Sequence, residues 1–156
     1  MRDVSLGLVL DPIYWRDTPA IRIEFNQTTL YESALNKIER FNWILPANDL
    51  NRLSVFFLNK CDGDTVDNLD KAVIIKEIAI EGFEYPSFMH CSQYLPEYSE
   101  GYYQYAKEHN LAVEPVIHSN YLGFNGEWFL EFTWPTFTWI YEIETNKLGW
   151  IYEKNI

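Results

Sequence analysis

Apolar and polar side chains alternate with a period of two through most of this chain, and that pattern limits its fold more than any other feature. Successive side chains of a strand point to opposite faces, so alternation marks a strand with one buried face. Val4, Leu6, Leu8 and Leu10 share one phase. Ile21, Ile23 and Phe25 repeat it, Asn26-Gln27 predicts a turn, and Thr29 and Tyr31 continue on the return strand. Ile38 to Leu45 carries a further apolar segment that ends at Pro46, and Leu53, Val55 and Phe57 alternate again. Residues 71–81 would group several apolar side chains as a helix too. Their β-branched content and the stop at Gly82 favour a strand, with Ala72, Ile74, Ile78 and Ile80 on one face. Val116 to Phe124 runs into Asn125-Gly126, a strong hairpin signal, and Trp128, Leu130 and Phe132 alternate on the return. Phe137 to Ile143 predicts another strand, Asn146 to Gly149 a turn, and Gly149 to Tyr152 a closing strand. Short strands separated by turns, with no βαβ rhythm, predict an all-β fold: an antiparallel β-sandwich or jelly roll, as a single domain over residues 1–156.

One stretch breaks the pattern. Residues 84–110 hold Pro86, Pro96 and the tyrosines Tyr94, Tyr98, Tyr102, Tyr103 and Tyr105, with little alternation. We read it as a long excursion from the sandwich with a short helix across Tyr102 to His109; such loops are usually functional or packed on themselves. A chain of 156 residues buries about 68–70% of its unfolded surface and needs no metal or disulfide to fold. The apolar stretch Leu6 to Leu10 is shorter than the ~7–15 residues of a secretion signal. No apolar run reaches the ~18–20 residues of a membrane helix. The expectation is a soluble protein made in a cytoplasm, without a membrane partner, with Cys61 and Cys91 as reduced structural thiols.

The formal net charge is −11. Binding to nucleic acid rests on phosphate neutralisation, so a nucleic-acid partner is excluded. The acidity is concentrated: residues 1–60 balance, whereas residues 61–100 carry a net −7. Within them CDGDTVDNLDK, residues 61–71, places Asp62, Asp64, Asp67 and Asp70 in one loop. Calcium takes oxygen ligands from carboxylates and backbone carbonyls, so these four are candidate calcium ligands. EF-hand spacing fails, because Val66 stands at the third ligand position counted from Asp62. The alternative is a loop whose Asp and Asn side chains cap their own backbone.

The aromatic residues form a second candidate set. Sugar rings present apolar C–H faces that pack on aromatic rings, and tyrosine and tryptophan also anchor protein interfaces. Tyr94, Tyr98, Tyr102, Tyr103, Tyr105 and Trp134 are the candidate interface or glycan residues; Trp134 and Trp139 flank Pro135, and most Trp and Phe are expected in the core. Glu127 and Glu131, like Glu77 and Glu81, share a strand face but lie ~13 Å apart along it. A glycosidase pair at ~5–9.5 Å would need two strands, and a solvated face is the plainer reading. His90, His109 and His118 show no spacing for a metal triad. No nucleophile elbow, phosphate loop or dinucleotide fingerprint occurs, so no catalytic residue is assigned.

Two stretches together carry a resemblance: LNKCDGDTVDNLDKAVIIKEIAIEGF, residues 58–83, and YLGFNGEWFLEFTWPTFTWIYE, residues 121–142. Their arrangement resembles small tailed-bacteriophage proteins with a β-sandwich of the carbohydrate-binding-module type. The first stretch is also similar to calcium-dependent xylan-binding modules, in which an Asp-rich loop leads into a strand. The resemblance implies a non-enzymatic virion component, such as a head, neck or tail decoration or attachment protein. It would be made in the host cytoplasm, with other virion proteins or further copies of itself as partners and polysaccharide as a possible ligand. No cofactor is required and calcium is a possible one. A free-standing carbohydrate-binding module is the alternative, and a jelly-roll glycosidase or lyase the third.

Overall fold

The computed structural model describes residues 2–154, and the side chains of residues 2–145. Two antiparallel sheets face one another. Their strands are β1 (Asp3–Ile13), β2 (Ala20–Phe25), β3 (Thr28–Ala34), β4 (Glu39–Pro46), β5 (Leu50–Phe57), β6 (Ala72–Ile80), β7 (Gln93–Pro96), β8 (Tyr121–Leu122) and β9 (Gly126–Thr133). The first sheet has the order β4-β1-β6-β8 and the second β3-β2-β5-β9-β7. The expected antiparallel sandwich is the observed fold. Its core is built from the alternating residues: Leu6, Leu8 and Leu10 from one sheet meet Ile23, Val55 and Leu130 from the other, all at most 1% exposed. Among the described residues no helix is long and apolar enough to cross a membrane.

The Asn26-Gln27 turn joins β2 to β3 as expected, with both residues at positive φ (49° and 69°). That twist matches the right-handed twist of the flanking strands. In β6 the predicted face is only partly right. The pairing of β1 with β6 shifts between Val9 and Leu10, so Leu10 faces Ile75 while Val9 faces Glu77. This bulge flips the phase, and the inward residues are Val73, Ile75, Ile78 and Ile80, while Ile74 is half-buried. A bulge inserts one residue on one strand, which a strict period of two cannot anticipate.

Further expectations are corrected. Phe137 to Ile143 is not a strand, nor do a turn at Asn146 to Gly149 and a strand at Gly149 to Tyr152 follow; helix α3 spans Thr136–Lys154, named here after α1 (Pro86–Cys91) and α2 (Glu100–Glu108). In the helix Thr136 and Ile140 are buried and Trp139 and Ile143 half-buried, a face of helical period, while Phe137 and Tyr141 point outward. Alternate aromatics mimic a strand over so short a stretch. The predicted strand from Val116 to Phe124 shrinks to β8, which pairs with β6. Asn125-Gly126 therefore joins strands of two different sheets and closes no hairpin. Asn125 instead clasps Lys60, accepting its N–H at 2.6 Å and donating to its carbonyl at 3.1 Å. Gly126 (φ 137°) lies where a Cβ would overlap the Leu95 carbonyl.

The excursion is more ordered than its sequence suggests. Pro86 starts α1 at a position where its missing N–H costs nothing. The strand β7 then pairs with β9, and Ser99 caps α2 by accepting the Tyr102 N–H. The helix predicted over Tyr102 to His109 is α2, begun two residues earlier.

Candidate functional site

Two regions concentrate polar chemistry: the acidic loop and the outer face of the second sheet. The acidic loop holds the four aspartates that the sequence offers as calcium ligands. They diverge in role. Asp64 closes a short 3-10 turn over Asp62–Asp64 and is 1% exposed. Its Oδ1 accepts from Arg16 Nε at 2.9 Å and Nη2 at 2.7 Å, and its Oδ2 accepts the Cys61 N–H at 2.7 Å, with Lys71 Nζ 3.5 Å away. Burial pushes the Asp64 carboxyl up, but the hydrogen bonds and the two cations outweigh it and hold it below the usual carboxylate range. Asp70 is opposed by burial in the same way and also lies below that range, since its Oδ1 accepts from Lys60 Nζ and Thr65 Oγ1, both at 2.6 Å, and its Oδ2 from Tyr121. Asp62 accepts from Ser99, which ties the loop to the start of α2. Asp67, at φ 55°, sits exposed in the tight turn closed by the Val66–Leu69 bridge. Among the described residues no three His, Cys, Asp or Glu side chains are placed to hold a metal ion.

The aromatic candidates also separate. Tyr94 is fully buried; its hydroxyl donates to the Phe124 carbonyl and accepts the Phe124 N–H at 2.9 Å. It is a core residue on the inner face of β7, so its reading as an interface or glycan contact is corrected: in a strand of four residues, alternation leaves too short a trace to read. Tyr98 and Tyr102 stack on each other at 5.2 Å and meet Phe124 edge-on at 4.8 and 4.7 Å, both half-buried. Tyr103 and Tyr105 are about half exposed, and Tyr105 stacks on His109. Trp134 is half-buried with the Arg2 guanidinium over its ring, whereas Trp139 stacks on Phe88 in the core. Cys61 and Cys91 are free thiols.

The second region was missed. The outward residues of β2, β5 and β9 form a polar sheet face with an open cleft of about 510 Å³. Its lining includes Glu24, Asn26, Gln27, Asn48, Arg52 and Glu131, with Leu50 and Phe56 as apolar surface. Arg52 sits at its centre. It donates to both oxygens of Glu127, at 2.8 and 3.1 Å, lies 3.7 Å from Glu131, and covers the Phe129 ring at 3.6 Å. Ser54 donates to Glu127 at 2.6 Å. Glu127 and Glu131, expected to be strand-separated, thus meet through one guanidinium. Arg22 similarly covers Phe56 at 4.4 Å and pairs with Glu24 at 2.7 Å. At the cleft's edge Asn26 donates to Asn51, and Asn51 also fixes the Asn48 N–H. The signal for this face lay in the polar phase of the same alternation that located the core: Arg22 and Glu24, Arg52 and Ser54, Glu127 and Glu131.

No family model matches the chain, and no curated protein matches it. Among solved structures the chain is similar to vCBM60, reported with the statement that circular permutation links two families of calcium-dependent carbohydrate binding modules. The TM-score is 0.51 at 13% identity, over 81% of this chain and 89% of that one. A structure of vCBM60 in complex with galactobiose gives 0.49 at 13% identity, over 83% and 97%. The fold is a carbohydrate-binding-module-like β-sandwich. Neither likeness supports the expected bacteriophage origin.

Proposed function

We propose that the chain is a non-catalytic carbohydrate-binding domain and that its glycan lies in the cleft on the outer face of the second sheet. The observation that carries this reading is the lining of that cleft. Glu24, Arg52 and Glu131 from the strands, with Gln27 and Asn48 from the loops at their ends, present planar carboxylate, guanidinium and amide groups to one cleft. Such groups engage neighbouring sugar hydroxyls in pairs, and Leu50 and Phe56 supply apolar surface for C–H faces. Four carboxylates, Glu24, Glu32, Glu127 and Glu131, stand against two guanidiniums, Arg22 and Arg52, on or beside this face. That balance favours a neutral glycan over a uronate-rich or sulfated one. Both oxygens of Glu127 are committed to Arg52 and Ser54, so this carboxylate serves to hold the Arg52 guanidinium in place. The fold likeness to a carbohydrate binding module agrees with this reading.

The test is a glycan array followed by titration calorimetry on the best neutral glycan. Glu131→Ala with Gln27→Ala should weaken binding at least about tenfold, because polar partners in the cleft are left unpaired. Unchanged affinity in that variant sinks the cleft as the site.

A second reading keeps the virion role, in which the sandwich is a decoration or attachment protein assembled with other virion proteins. The outward rings of Phe137, Tyr141, Tyr103 and Tyr105 support it, since exposed aromatics serve as interface anchors. Labelling purified particles with an antibody to the chain tests it; unlabelled particles refute it.

A further inference from the structure

Two ammonium groups at the base of the acidic loop are buried far more deeply than lysine usually is. The Lys71 side chain is 2% exposed and that of Lys60 10%. Each ammonium sits in a cage of three oxygens. Lys71 Nζ faces the Asn59 carbonyl at 2.8 Å, Asp17 Oδ2 at 2.9 Å and Asp64 Oδ2 at 3.5 Å. Lys60 Nζ faces Asp70 Oδ1 at 2.6 Å and the carbonyls of Lys71 and Gly123, both at 2.8 Å. Carboxylate plus backbone carbonyl is the donor chemistry that calcium takes, yet calcium asks for six to eight oxygens. Here the oxygens are divided between two monovalent cations, and Arg16 takes up Asp64 from a third side. Of the other two loop carboxylates, Asp62 accepts from Ser99 and Asp67 is exposed in its turn. The loop residues therefore do not fit a resident calcium ion.

We propose that the acidic loop is locked by the chain's own cations, Lys60 and Lys71 with Arg16, and that this sandwich folds and melts independently of calcium. The arrangement follows from the charge distribution. Clustered aspartates repel one another, and a buried carboxylate needs a partner inside the protein. In a calcium-dependent domain a divalent ion answers that need; here Lys60 and Lys71 enter from the two ends of the loop itself, one before Asp62 and one after Asp70. Their ammoniums also bind carbonyls of Asn59 and Gly123, so the clamp joins the end of β5 to the segment between β8 and β9.

Thermal melts of the full chain test this, with and without a chelator and across millimolar calcium. The wild-type Tm should be the same in all of them. Lys71→Met should lower it by roughly 6–20 °C, and Lys60→Met by less, since its cage is more exposed. A wild-type Tm that climbs with the logarithm of free calcium overturns the proposal, as ligand linkage would then demand a bound ion. So does a Lys71→Met chain that melts with the wild type. If Lys71→Met does not fold, Lys60→Met and calorimetric titration of the wild type with calcium decide: a loss of Tm with no binding heat supports the clamp, and a saturable binding heat refutes it. The melts involve no glycan, so this inference and the cleft's role fail separately.

Discussion

The acidic loop and the outer sheet face both pair carboxylates with cations, to opposite ends. In the loop Asp64 is 1% exposed and Lys71 2%, and the pair is sealed from water. On the sheet face Arg52 is 38% and Glu131 42% exposed, and the charges lie open along a cleft. The difference is one of backbone. A turn can wrap a carboxylate, giving it an N–H from Cys61 as well as cations, whereas a strand holds alternate side chains upright and leaves their tips in solvent. Charge density in the sequence is higher in the loop, yet the structure spends it on holding the loop together. The weaker, dispersed charge of the sheet face is the part left open to solvent.

The contrast can be broken most strongly at Asp64. Asp64→Ala leaves Lys71 buried beside one fewer anion and removes both Arg16 bonds, and should cost about 3–5 kcal/mol by urea midpoint. Asp67→Asn, in the same loop but exposed in its turn, should stay within about 0.5 kcal/mol. Equal effects of the two would show that the loop is a uniform charged surface.

Tyr94→Phe is next in size. It removes the hydroxyl that serves the part-buried Phe124 carbonyl and N–H, and should cost about 1–3 kcal/mol. A neutral outcome would return Tyr94 to the surface reading.

Acid separates the regions by pH. Asp64, Asp70 and Asp17 are held below their ordinary value of 3.8. A depressed carboxyl stabilises the fold above its unfolded value and loses that contribution as pH falls through the folded one. Stability should therefore be full above about pH 5 and drop progressively below pH 4. In Asp64→Asn the drop should be shallower, as measured by urea midpoints across that window. An unchanged slope would place the acid-sensitive groups elsewhere.

The smallest stability effect belongs to the cleft. Glu131→Gln should change stability by less than about 0.5 kcal/mol, while weakening glycan binding in the same preparation. A larger loss of stability than of affinity would make Glu131 part of the scaffold.

Alternation along the chain was enough to name the sandwich, the β2–β3 turn and nearly every inward residue of β1, β2, β5 and β9. These are properties of neighbours in sequence: a buried face needs every second side chain apolar, and Asn26-Gln27 adopts positive φ locally. Elements that depend on distant contacts were not legible. The phase flip in β6 answers to the pairing with Val9 and Leu10. The α3 helix is chosen over a strand because Trp139 stacks on Phe88 and Ile140 joins the core. The sheet change at Asn125-Gly126 is set by the clasp on Lys60, sixty-five residues away. For the candidate sites the division is the same. Four aspartates in one loop and alternating charges on the strands are plain from residue order. That Lys60, Lys71 and Arg16 close around the first set, and that β2, β5 and β9 lie side by side to make the second into a cleft, follows from the packing of distant segments. Charge pairing and cleft shape are set by distances between segments remote in sequence, and local pattern carries no record of those distances.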